Sequence, residues 1–394
     1  MFPEKTMAWG KARSCIRELA EYGWKRKAEI GAENVYDFSL GNPSIPAPDC
    51  VNEAIADLIR GDSVALHGYT TAAGLPSLRQ RIAADYKERF GVELDPDRMY
   101  VTCGAAAGLA ISLRALLMPG EEVVALAPFF PEYRVFVEAA GGVLVTAPPA
   151  MPDFQPDFAA LAACLTEKTK AIVVNSPNNP SGVVLTEESL RKLADTLRSH
   201  EKKTGNAVYL ICDEPYRELV YDGVEVPSVF RYYDDTILCY SFSKSLSIPG
   251  ERIGYVAVGP KAKDGAEIYA GILGAGRALG YVNPPSLFQR VIERCLGATA
   301  DVSKYRENRD LLLGALREMG YECVEPQGAF YLFVKAPEAD AKAFSERAKR
   351  HELLLVPSDD FGVKGYVRIA YCVSKDMISR SLPAFRALMA EYRI

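Results

Sequence analysis

Histidine is scarce in this chain of 394 residues: His67, His200 and His351 are the only three, and none stands within helical reach of another. A helical metal pair needs its ligands one turn apart, so the spacing argues against metal catalysis. The nine cysteines are scattered singly from Cys15 to Cys372, with no Cys-x-x-Cys and an odd total. That pattern argues against a disulfide scaffold or a zinc site and makes a reducing cytoplasm the expected compartment. No stretch is long and apolar enough to span a bilayer, and residues 1–26 carry charges throughout, without the apolar core of a signal peptide. The net charge is -5 and no basic run stands out, so neither nucleic acid nor a membrane is an expected partner.

What the chain does have is ample material for large cores, with 49% hydrophobic residues and a length that suggests two or three domains. Residues 8–31 read as helix, and 36–43 as an extended segment ending in a Gly/Pro turn. Short apolar runs then alternate with helical patterns. The strand candidates are 99–102, 122–126, 142–145, 171–175, 208–212, 237–240 and 255–258, and 187–202 is one of the helices between them. This alternation predicts a mostly parallel seven-stranded sheet with helices on both faces. After Pro284-Pro285 the pattern changes to helices at 286–296 and 302–319, a strand at 328–334 and a closing helix at 375–393. The expected division is a large α/β domain over 46–289 and a smaller α+β domain built from both chain ends, 1–45 plus 290–394.

Lys244, in the run Ser241-Phe242-Ser243-Lys244-Ser245 with Arg252 and Gly254 after it, is the most informative residue. Lysine becomes a nucleophile only when desolvation or a nearby cation strips its charge near neutral pH, and its commonest use is then a Schiff base. The apolar run before it places it at a strand's carboxyl end, where open α/β sheets bind ligands. Taken alone, the pattern also describes an ordinary solvated loop lysine.

Other segments share this ambiguity. Asn175 to Gly182 follows an apolar strand and is either a plain turn or a rigid loop aiming the Asn179 amide at a ligand oxygen. Asp213, at the end of another buried strand, needs a cationic partner, either a protonated ring nitrogen or a structural arginine, and Tyr216 either binds the same ligand or packs. Gly104 to Gly108 joins a strand to an alanine-rich helix, leaving the first amides open to a phosphate or simply packing tightly. Phe129, Phe130 and Tyr133 could stack on a ligand ring or belong to the core. Gly274 to Gly280 resembles a dinucleotide fingerprint, but the residues before it read as helix, whereas that signature needs a strand.

Taken together and in this order, the segments resemble the class I/II aminotransferases of fold type I, which carry pyridoxal 5′-phosphate. The resemblance covers nearly the whole chain. It implies that Lys244 is the Schiff-base lysine and proton shuttle and that Asp213 partners the pyridine nitrogen. Asn179 and Tyr216 fall at phenolic-oxygen positions and Phe130 where an aromatic stacks. Gly104, Ala105, Ala106, Ser241, Ser243 and Arg252 fall at phosphate positions. Tyr69 matches a tyrosine sent into a partner subunit's site, which implies a homodimer. Arg368 matches the clamp for the substrate carboxylate, while Gly41 and Asn42 lie where the amino-terminal segment closes over the substrate.

The implied reaction moves an amino group from an L-amino acid to a 2-oxo acid by a ping-pong route. Family devices for a distal carboxylate correspond here to Ala278 and Ala106, and Arg277 is one position off. The expected donor is therefore neutral or broad, such as alanine, methionine or an aromatic amino acid, with 2-oxoglutarate or pyruvate as acceptor. Two rival readings keep the fold: a pyridoxal phosphate-dependent carbon-sulfur β-lyase, and a non-catalytic ligand sensor.

Overall fold

The computed structural model describes residues 3–12 and 14–392. Its centre is a seven-stranded sheet whose order from edge to edge is Met99–Thr102, Gly254–Val258, Thr236–Ser241, Tyr209–Asp213, Thr169–Asn175, Glu122–Leu126, Val143–Ala147. Only Gly254–Val258 runs antiparallel to its neighbours. The seven predicted strands are these seven. Two match at both ends and the rest differ by one or two residues at an end, in part because buried strands extend into polar terminal residues such as Asp213 and Ser241, which periodicity does not count as apolar.

The strands alternate their side chains between two cores. Val124, Ile172, Leu210 and Leu238 face one side with Leu190, Leu193 and Leu197 of the helix Glu187–Thr204. Val123, Val173, Ile211 and Ile237 face the other with Leu109 and Leu113 of the helix Ala105–Leu116. Burial on both faces is what a parallel sheet requires. Glu187–Thr204 shows why these helices begin and end where they do. Thr186 accepts from the Ser189 amide, Glu187 and Glu188 fill the first turn, Lys202 and Lys203 the last, and Gly205 closes it at φ 77.

The second unit carries a four-stranded antiparallel sheet in the order Val356–Pro357, Tyr366–Ala370, Tyr331–Lys335, Cys323–Val324. The amino-terminal strand Tyr36–Asp37 pairs in parallel with Leu353–Leu354, and Phe38 is buried with Leu312, Phe344 and Phe385. The chain's two ends therefore build one core. The predicted helix at 8–31 is two helices, Glu4–Lys11 and Cys15–Ile30, the second restarted by the Ser14 side chain accepting from the Arg17 amide. The predicted strand at 328–334 begins only at Tyr331, because Gly328 bridges to Val220 instead. The closing helix runs Lys375–Ala390, and Arg393 lies outside the described residues. Gly274 to Leu279 sits wholly within the helix Gly265–Leu279, which removes the dinucleotide reading.

The segment that leaves Tyr209–Asp213 holds a buried ion pair. Arg217 Nε donates to Glu214 Oε2 at 2.7 Å, and its guanidinium lies 5.1, 5.4 and 4.6 Å from the rings of Tyr86, Phe90 and Tyr240. Removing one partner strands the other charge in the core. Arg217→Met is expected to destabilise the protein by about 3–5 kcal/mol in urea unfolding, and Glu214→Gln/Arg217→Met to recover much of that loss.

Candidate functional site

The parallel strands deliver their last residues to one edge of the sheet. Register pairs Asn175 with Asp213 and Asp213 with Cys239, so Asn175, Asp213 and the segment after Ser241 lie side by side. They border a cavity of about 260 Å³ whose lining includes Ala105, Ala106, Phe130, Asn179, Asp213, Tyr216, Lys244 and, from the second unit, Tyr331 and Arg368, with Gly41 and Ile16 from the amino-terminal segment. A larger cavity, about 520 Å³, is lined by Asp85, Arg89, Arg217 and Glu218 and holds none of the predicted site residues.

At one end of the site the backbones of two strand termini are forced together. Gly254 pairs with both Thr102 and Ser241, and a Cβ on it would lie 2.2 Å from the Tyr240 oxygen and 3.0 Å from Gly104 Cα. Gly104 itself sits at φ 84, and a Cβ there would fall 2.8 Å from Arg252 Nη2. Only glycine permits that approach. The result is a polar cradle. The free amides at the start of Ala105–Leu116 stand with Ser241 and Ser243, whose hydroxyls are 2.7 Å apart, and with Arg252, whose Nη1 reaches Ser243 Oγ at 3.5 Å and Pro249 O at 2.9 Å. Such a set of donors suits a dianion.

Asp213 is buried at 5% exposure, with Oδ2 accepting from Tyr133 at 2.5 Å and Oδ1 partnerless among the described residues. Burial pushes its carboxyl up to about 7, against the opposing hydrogen bond from Tyr133. Asn175 Nδ2 holds the Asp213 carbonyl at 2.8 Å, and Asn175 Oδ1 accepts from the Asn179 amide at 2.7 Å. Lys244 Nζ donates to the Gly41 carbonyl at 2.7 Å, 5.3 Å from the Phe330 ring. Desolvation brings Lys244 from the ordinary 10.5 to about 8, helped by the positive charges of Arg252 and Arg368.

Arg368, from Tyr366–Ala370, is 2% exposed. Its Nη1 donates to Asn179 Oδ1 at 3.1 Å and its Nη2 to the Ser39 carbonyl, while Nε has no partner among the described residues. Two predicted residues stand apart. Tyr69 is 96% exposed and does not line this chain's own cavity. Asn42 is exposed and lies outside the lining. Tyr133, Asn175, Ile16 and Tyr331 carry parts of the site that the motifs did not assign. Tyr331 could have been found from alternation: it is two residues from Phe333, which pairs with Arg368, so it shares that face.

A charged lysine in this environment costs stability. Below pH 8 it is protonated in folded and unfolded chains alike and the full desolvation penalty applies; as pH rises toward 10.5 the folded state sheds its proton first, and the penalty disappears. In cofactor-free protein, Lys244→Met is expected to raise stability at pH 7 by about 2–3 kcal/mol, discounted for the side chain's partial exposure, and to give much less at pH 9.5 in the same urea assay.

The family model described as aminotransferase class I and II matches residues 32–385. A probable aspartate/prephenate aminotransferase from Thermus aquaticus is 34% identical over 88% of this chain and 90% of its own length. Among solved structures, an amino transferase from Eubacterium rectale superposes with a TM-score of 0.98 at 52% identity, covering 100% of both chains. The aspartate aminotransferase of Thermus thermophilus, solved with maleate, gives 0.87 at 28% identity, covering 98% of this chain and 100% of its own. The chain therefore belongs to the class I and II aminotransferases, the fold type I enzymes that use pyridoxal phosphate to move an amino group from an amino acid to a 2-oxo acid.

Proposed function

We propose that the cavity bounded by Asp213, Lys244 and Arg368 is the transamination site and that its preferred donor is a neutral amino acid. One observation carries the reading: the free Asp213 Oδ1, the desolvated Lys244 amine and the free Arg368 Nε all border one cavity of about 260 Å³, each suited to a different part of a cofactor-substrate pair. The residues present fit pyridoxal phosphate. Asp213 Oδ1 is an acceptor for a protonated ring nitrogen, and that cation draws the carboxyl back to its ionised form. Phe130 would stack on the ring, and Asn179 and Tyr216 would hold the phenolic oxygen. Gly104, Ala105, Ala106, Ser241, Ser243 and Arg252 hold the phosphate.

Pyridoxal phosphate supplies the electron sink that makes the substrate Cα proton removable. Lys244 Nζ is the covalent anchor and, once displaced by the substrate amine, carries that proton from Cα to the cofactor's C4′. An amine that titrates near 8 suits this, since a strongly basic lysine would hold the proton permanently. Arg368 fixes the substrate carboxylate through Nε and a terminal nitrogen, with Asn179 and the Ser39 carbonyl bracing the guanidinium. Gly41 borders the cavity, and the two half-reactions alternate in ping-pong order.

The neutral preference rests on charge. Among the described residues Lys244 and Arg368 are the only cationic side chains on the cavity wall, Ala106 occupies the phosphate-loop position, and Arg277 is exposed on the helix Gly265–Leu279. The two Thermus relatives are named for aspartate or aspartate/prephenate, so the donor is where this chain is expected to differ from them. The exposed Tyr69 ring is the basis for a homodimer in which it enters the second subunit's site. Among the described residues no helix is long and apolar enough to cross a membrane, in keeping with a cytoplasmic enzyme. The first boundary is taken near 45/46, but Val291, Ile292 and Cys295 pack with Val51, Ala54 and Leu238 on the seven-stranded sheet, so the large domain is taken to run past 289/290 to the end of the helix Ser286–Cys295.

The test is the visible spectrum of protein loaded with pyridoxal phosphate, recorded while single amino acids are added without acceptor. Alanine or methionine should convert the band to that of the amine form at least about tenfold faster than aspartate, the scale of one lost ion pair at a partly wet site. Equal rates for aspartate and alanine would remove the neutral preference. Arg368→Ala should lower kcat/KM for the amino acid by about 10²- to 10³-fold, mostly through KM, because both ground and transition states carry the carboxylate.

A further inference from the structure

Tyr216 and Tyr331 face each other across the cavity with their hydroxyls 2.9 Å apart, and both side chains are buried, at 5% and 2% exposure. Among the described residues neither hydroxyl has another hydrogen-bond partner. Two hydroxyls that share one hydrogen bond leave one proton uncommitted, and the donor's identity decides which. The surroundings are not symmetric. The Arg368 guanidinium lies 4.6 Å from the centre of the Tyr331 ring. Burial raises both phenols and Arg368 opposes it at both, but at Tyr331 the cation is second only to burial, whereas at Tyr216 the neighbouring Tyr331 and Asp213 add to the rise, so Tyr331 reaches about 12 and Tyr216 goes well above its ordinary value. The stronger acid of a pair is the better donor.

The backbone is shaped to keep Tyr331 there. Gly41 has no side chain, and a Cβ on it would lie 1.9 Å from Tyr331 Oη, inside the hydroxyl. The same Gly41 offers its carbonyl to Lys244 at 2.7 Å. One residue thus leaves room for the tyrosine and holds the lysine beside it.

We infer that Tyr331 is a positioning residue: it donates its proton to Tyr216 Oη and so turns the Tyr216 proton into the cavity, toward the phenolic oxygen of bound pyridoxal phosphate. This rests on the cofactor placement given above. It assigns Tyr331 a role through Tyr216 rather than through contact with the reacting atoms. A donor aimed at the phenolic oxygen favours the ring system's anionic form, so the bound chromophore gives up its proton at lower pH.

The experiment is a pH titration of the visible band in loaded protein without substrate, for wild type, Tyr331→Phe, Tyr216→Phe and Tyr216→Phe/Tyr331→Phe. Tyr331→Phe should raise the midpoint by about half to one pH unit, the equivalent of one neutral hydrogen bond. Tyr216→Phe should raise it further, and the double variant should match Tyr216→Phe alone, since Tyr331 has nothing left to act through. A Tyr331→Phe midpoint equal to wild type, or an equal shift in the Tyr216→Phe background, would overturn the inference. If Tyr331→Phe is recovered unfolded by circular dichroism, Gly41→Ala displaces the same hydroxyl and should raise the midpoint in the same direction; no shift there would also overturn it. A wild-type protein that forms no visible band with pyridoxal phosphate would remove the cofactor placement itself, and this role with it.

Discussion

The structure depends on keeping two opposite titratable groups, Asp213 and Lys244, out of water without letting them satisfy each other. A buried carboxylate and a desolvated amine would normally pair, and each would then lose its use. Here Asp213 is tied by its carbonyl to Asn175 and by one oxygen to Tyr133, while Lys244 is tied to the Gly41 carbonyl. Each is held by a neutral partner from a different part of the chain. Neutral partners restrain position without quenching charge, so both groups stay responsive to whatever enters between them.

That arrangement needs rigid support, because neutral tethers are individually weak. The sheet supplies it at the carboxyl ends of its parallel strands, where interior residues such as Ile172, Ile211 and Leu238 are fully buried. The approach of the strand ends around Gly254 then fixes the donors of Ala105, Ser241 and Arg252 at one end of the cavity's edge. Arg252 holds the left-handed conformation at φ 50, an unfavourable geometry for a side chain with a Cβ, and its guanidinium is held there by Ser243 and by the Pro249 and Cys103 carbonyls. The dianion cradle is thus set mainly by backbone packing, with charge as a second contribution.

Much of this was legible in the sequence for a physical reason. Buried parallel strands read as unbroken apolar runs, and the residues at their carboxyl ends, Asn175, Asp213 and Ser241, break those runs abruptly. Function lies at the breaks, so the signal for the strand and the signal for the site are the same signal. Lys244, Asp213, Asn179 and Arg368 all follow from it, directly or through the resemblance. Tyr331, Tyr133 and Ile16 did not, because each sits in an element whose pattern is satisfied without it: an aromatic in a buried strand or helix is ordinary core until a partner's position is known. Asn42 and Tyr69 mark the opposite limit. Gly41 and Asn42 are neighbours in sequence, yet one lies on the cavity wall and the other in solvent, and no periodic signal distinguishes them. Tyr69 carries a reading that one chain alone cannot express.

The two units also divide the chemistry. Everything suited to the cofactor, from Gly104 to Arg252, belongs to the seven-stranded sheet and its loops, whereas Arg368, Tyr331, Gly41 and Ile16 come from the second unit and the amino-terminal segment. The sheet is rigid and buried on both faces. By contrast, the substrate side of the cavity is assembled from two chain ends, joined by the short pairing of Tyr36–Asp37 with Leu353–Leu354. A cofactor that never changes belongs on the first. Donor and acceptor, which alternate in one site and differ in size and charge, are better met by the second, where a small movement of Ile16 or Arg368 alters the space above Lys244 without disturbing the cradle. Tyr331 belongs to the second unit but acts on Tyr216 of the first. In the role inferred for it, Tyr331 is the place where a change on the substrate side would be felt by the cofactor, through a single hydrogen bond.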